Sequence, residues 1–132
     1  MIYQLRHDGE PVPKPRMTRS DKWREPVRPA VAAYWAYKDE IILAAYQAGY
    51  RRGETVIKLE LEFHLPMPGS LSRAKREQLA GQPHMVKPDL DNLVKAILDS
   101  LSDSDQTCWS ITARKYYASP DHAGVNILIE TE

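Results

Sequence analysis

Cysteine is nearly missing from this chain, phenylalanine is used once, glycine six times in 132 residues, and positive and negative charges cancel at eighteen each. Each scarcity excludes something. A lone Cys108 cannot close an intramolecular disulfide, and with only four scattered histidines it cannot build a Cys-rich zinc site, so a reducing, cytoplasmic setting is expected. Charges break the apolar stretches well short of the ~18 residues that span a bilayer, and MIYQLRHDGE lacks a basic-then-apolar leader. Neither a membrane nor export is expected. What remains, 42% hydrophobic and 27% charged residues over one domain's length, is the composition of an ordinary folded protein.

The absence of net charge hides an uneven distribution. Residues 1–28 hold seven Lys/Arg against four Asp/Glu, residues 29–76 seven against five, and residues 77–132 four against nine. A basic first half can still bind a polyanion if folding gathers it on one surface. The acidic remainder then needs its own explanation.

Along the chain, MIYQL alternates as a short strand, and Gly9, Pro11, Pro13 and Pro15 turn the next residues into loop. PKPRMTRSDKWREPVR reads as a basic arm that orders on contact. Pro29 suits a first helical turn, and Val31, Tyr34, Trp35, Ile41, Ile42, Ala45 and Tyr46 recur at helical spacing, predicting a helix over 29–50 with Tyr34 and Trp35 in the core. Ile57, Leu59, Leu61, Phe63 and Leu65 alternate with polar residues as a strand. Ser72 can cap a short helix, residues 79–88 are loop, and Leu90, Leu93, Val94, Ile97, Leu98 and Leu101 share one face of a helix ending near Ser102. Residues 107–118 and 124–131 read as closing strands, Cys108 and Trp109 opening the first, while His64 and His84 are expected at the surface. The order β-α-β-α-α-β-β describes a single small α+β domain, with one mixed sheet of about four strands and helices packed on it.

Five aspartates fall within residues 89–105, namely Asp89, Asp91, Asp99, Asp103 and Asp105, with Lys95 among them. Carboxylates this dense are either spread over solvent or gathered around a cation. On a helical projection Asp91 lies at the rim of the apolar face, partly sheltered, whereas Asp99 points away into solvent. Asp89 precedes the helix, where the dipole favours a negative group. The residues alone leave two readings open: caps, i,i+4 pairs with Lys95 and loop solvation, or two carboxylates at a helix start holding a hard metal ion.

The stretch HMVKPDLDNLVKAILDSL resembles the central motif of the RusA-type Holliday-junction resolvases, endonucleases of phage and prophage recombination and DNA repair. PVPKPRMT and MPGSLSRAKREQLAGQP resemble what precedes that motif in the family, and the likeness extends over residues 10–106. Its specific core is Lys-Pro-Asp-x-Asp-Asn with a lysine four residues after the second aspartate. The resemblance implies a RusA-like fold and a Mg²⁺-dependent endodeoxyribonuclease acting on four-way DNA, with Asp89, Asp91 and Lys95 as its motif residues. It implies a third aspartate after the helix in an Asp-Asp-x-Gln-like setting, here Asp105 in Asp103-Ser104-Asp105-Gln106, with Asp103 close behind. The linker before it is several residues shorter than the family's, so a branched-DNA-binding protein with impaired or no cleavage stays as the alternative. A protein with a purely structural cation is the third possibility. The resemblance also implies a homodimer, with no membrane and no nucleotide cofactor. Lys14, Arg16, Arg19, Lys22 and Arg24 around Trp23, then Arg73, Lys75, Arg76 and Lys87, are the candidate DNA contacts.

Overall fold

The computed structural model describes residues 1–104 and 106–132. Its elements are β1 (Ile2–Asp8), α1 (Pro29–Gln47), β2 (Val56–Pro66), α2 (Arg73–Leu79), α3 (Leu90–Leu101), β3 (Ser110–Ala118) and β4 (Gly124–Thr131), with single 3-10 turns at Arg19–Lys22 and Pro120–His122. The expected α+β order is present. The four strands form one mixed sheet in the order β1-β4-β2-β3, in which β2 and β3 run parallel and the other neighbours antiparallel. A parallel pair needs a long crossover, and α2 and α3 provide it.

Period-two alternation decides which face of the sheet is covered. Leu59, Leu61 and Phe63 on β2 stand beside Ile129, Ile127 and Val125 on β4, all of them buried. This face packs against α1 and α3, and Leu93, Ile97 and Leu101 of α3 are fully enclosed. Enclosing a side chain such as Phe63 contributes about 1.5–3 kcal/mol.

On α1 the buried residues are Val31, Tyr34, Tyr37, Ile41 and Ala45, a three- or four-residue spacing that makes one stripe. Trp35 corrects the expectation of a core residue: it is 39% exposed, because one residue's step from Tyr34 turns it about 100° round the helix. Tyr37, which the apolar pattern did not include, takes its place. The helix ends before residue 50 in a Schellman turn, where Gly49 at φ 103° lets its N–H reach Tyr46 O and brings Tyr50 N–H back to Ala45 O.

The basic arm has internal bonds of its own: within residues 14–28 the Asp21 carboxylate accepts from Arg28 Nε at 2.9 Å, Arg28 Nη2 at 2.7 Å and the Thr18 amide at 2.7 Å. Arg28 Nη2 also reaches Arg16 O at 2.8 Å, closing the arm on itself. His84 is buried, not at the surface: Gly81, Gln82 and His84 exchange main-chain bonds with Lys115 and Tyr117 along the outer edge of β3, and the His84 ring lies 4.6 Å from that of Tyr117. His64 is half-buried beside Glu62, and Trp109 stands exposed next to Lys58.

Candidate active site

Asp89 occupies the N-cap position of α3, with extended φ and ψ, yet its side chain makes no capping bond. Ser72, by contrast, caps α2 through its hydroxyl to the Lys75 amide. The Asp89 carboxylate is therefore exposed and uncommitted at the positive end of a helix. Asp91 lies in the first turn and its carboxylate is 3.7 Å from Lys95 Nζ one turn on. Both side chains are open, 68% and 56% exposed, so the partial shelter expected for Asp91 is not found.

Asp99 is the larger correction. It does not face solvent: its Oδ2 accepts from Tyr34 OH at 2.6 Å and from Lys14 Nζ at 2.7 Å, and only 31% of its side chain is exposed. α1 crosses α3 on the side that the projection of an isolated helix had left to water. Burial opposes the Asp99 charge more than any other single cause, but the bonds from Lys14 and Tyr34 and the charges of Lys14 and Lys38 together hold its carboxyl below the usual range. Burial and the Asp99 bond push the Tyr34 hydroxyl well up, keeping it a donor.

Of the two candidates for a third carboxylate, Asp103 stands apart from the pair. Asp103 lies beyond the C-terminal end of α3 and pairs with Arg52 at 2.7 Å, while Arg52 also reaches Asp99 O. Asp91 is in the first turn of that helix, and the ten steps from residue 91 to residue 101 rise about 15 Å along its axis. Asp105 lies outside the described residues. Among the described residues no three His, Cys, Asp or Glu side chains gather as a metal site.

Of the basic candidates, Lys14 is tied into the fold twice, by its ammonium to Asp99 and by its backbone N–H to Asn92 O at 2.9 Å, which sets the arm beside the first turns of α3. Arg16, Arg19, Lys22, Arg24, Lys75 and Lys87 are exposed, as is Trp23. Arg73 is nearly fully exposed and lies 3.3 Å from Glu77, whereas Arg76 is half-buried and donates to Gly69 O. Sequence reading missed Arg52, and it missed Lys115, whose ammonium bonds the carbonyls of Val86 and Pro88 just ahead of Asp89. A signal for Lys115 existed: in Ile111, Ala113, Lys115, Tyr117 it falls in the inward phase of β3, the Phe63 register.

The donor chemistry fits a hard divalent cation in part. Two exposed carboxylates at a helix start are what a Mg²⁺ that keeps several waters requires, while a set of three carboxylates within the described part of one chain is not assembled. No curated protein matches the sequence. The family profile described as endodeoxyribonuclease RusA matches residues 8–130, nearly the whole chain and all of the elements that carry Asp89, Asp91 and Lys95. This protein belongs to the RusA endodeoxyribonuclease family.

Proposed function

We propose that the protein is a Mg²⁺-dependent, structure-selective endonuclease that resolves four-way DNA junctions by paired symmetric nicks, as a homodimer, in phage or prophage recombination. One observation carries this reading: the family's Asp-x-Asp and lysine stand together and open to solvent at the start of α3, with neither carboxylate spent on capping the helix. Asp89 and Asp91 would hold the cation. When bound, it supplies Lewis-acid polarisation of a phosphoryl oxygen and a water acidified for attack. Lys95 sets an ammonium beside the Asp91 carboxylate, where it offsets charge growing on the phosphate oxygens. The arm carries Arg16, Arg19 and the exposed Trp23 on a framework bonded through Asp21 and Arg28, where they can contact phosphates or an unpaired base.

A second reading has its own support. The Asp103–Arg52 pair at the far end of α3 favours a branched-DNA-binding protein with weak or no cleavage. A labelled synthetic four-way junction, incubated with and without Mg²⁺, separates the two. Symmetric Mg²⁺-dependent nicks support the nuclease, a mobility shift without nicks supports the binding protein, and no interaction removes both.

A further inference from the structure

We propose that Lys115 is the positioning residue of the carboxylate pair, fastening the segment that carries Asp89 to the sheet. The proposal rests on the nuclease reading above. Lys115 Nζ donates to Val86 O at 2.6 Å and to Pro88 O at 2.7 Å, the second being the carbonyl of the residue directly before Asp89. Its stem springs from β3 opposite Phe63, a fully enclosed residue in the middle of an unbroken parallel register from Lys58↔Ser110 to Pro66↔Ala118. The cation is thus mounted on a constrained part of the fold and grips an irregular one.

The main chain supports the same connection. His84 N–H donates to Lys115 O at 3.0 Å, Tyr117 N–H to Gln82 O at 2.9 Å, and Gly81 N–H to Tyr117 O at 2.9 Å, so residues 81–84 run along β3 up to the point where the lysine takes over. Beyond it Met85, Val86 and Lys87 are exposed and give the chain little packing of their own. Two carbonyls gathered on one ammonium fix the direction in which the chain enters α3, and hence where the Asp89 and Asp91 carboxylates stand. This matters because Asp89 has no capping bond and Asp91 only a long contact to Lys95.

Lys115→Met keeps the length of the stem and removes the donors, and Lys115→Arg restores a cation with several. On a synthetic four-way junction with Mg²⁺, Lys115→Met should bind within about twofold of the unaltered protein but cut about 10–100-fold more slowly at saturating DNA, the range typical of groups that orient metal-bearing side chains. Lys115→Arg should recover most of the rate. Amide hydrogen exchange, which needs no cleavage, should rise over residues 85–92 in Lys115→Met and stay unchanged in β2 and β4. Unchanged cleavage with unchanged exchange overturns the proposal. So does an exchange increase spread over the whole sheet with no rescue by arginine, since that describes a general structural anchor. If the unaltered protein cuts no junction, the nuclease reading falls, and the local exchange result still decides whether Lys115 holds this segment.

Discussion

Asp91 and Asp99 are separated by eight residues on one helix, and their surroundings assign them opposite work. Asp91 is open, so Asp91→Asn should abolish Mg²⁺-dependent nicking of a four-way junction while binding stays equal or tightens, because a carboxylate that repels phosphate is removed. Nicking at the unaltered rate would show that the carboxylate holds no cation. Asp99 is inside a bonded network, so its loss is felt in stability: the bonds from Lys14 and Tyr34 to a charged acceptor are worth about 1.5–3 kcal/mol each at most. The Asp99 and Asp21 carboxyls are both held below their usual range in the folded chain, Asp21 first by its Arg28 bonds. A depressed carboxyl stabilises the fold above its unfolded pKa of about 4, and that contribution disappears as pH falls through the lower folded value. Urea midpoints measured from pH 7 downward should therefore decline below about pH 4, and Asp99→Asn should flatten that decline. An equally steep acid limb in the variant would show that Asp99 contributes nothing to it.

Helices α2 and α3 make separate demands. On α2, Arg73 and Lys75 are exposed while Arg76 is turned back to Gly69, so only the first two are free to meet a phosphate. Replacing both by Ala should reduce the slope of log K against log salt by up to about 1.8, since each contact on duplex DNA contributes about 0.9. An unaltered slope would make α2 a solvated helix. The length of α3 sets the other expectation: it holds Asp103 at the opposite end from Asp91, so Asp103→Asn should leave junction cleavage and its Mg²⁺ requirement unchanged. A rise in the Mg²⁺ needed for half-maximal nicking would place Asp103 at the cation after all.

Junction resolution sets a requirement on the whole molecule. Two strands of like polarity must be cut at symmetric points, and one chain carries a single Asp89–Asp91 pair. Two copies about a two-fold axis would match the symmetry of the junction and supply both sites. Light scattering at micromolar concentration should therefore give about twice 15.1 kDa, with both nicks of a cruciform plasmid made in one bound complex. A monomer producing independent single nicks would point to a nuclease for simpler branched DNA.

Much of this architecture was legible before folding, because it depends on short-range periodicity. The alternation of Leu59, Leu61, Phe63 and Leu65 chose the buried face of β2, the spacing of Leu90 through Leu101 chose that of α3, and Ser72 marked the start of α2. The motif around Asp89, Asp91 and Lys95 was equally visible, since its members lie within seven residues and the i,i+4 spacing of a helix sets Lys95 beside Asp91. What the sequence could not decide is what stands across from each face. Asp99 pointed to solvent on an isolated helix, and the crossing of α1 put Tyr34 and Lys14 there instead. His84 sat in a loop and was enclosed by β3, thirty residues on, and the grip of Lys115 on Val86 and Pro88 spans a similar distance. The arm closes on itself where Asp21 meets Arg28, a match of charge that spacing does not announce. Periodicity along the chain determines which side of an element is apolar, whereas long-range packing decides which polar groups lose their water.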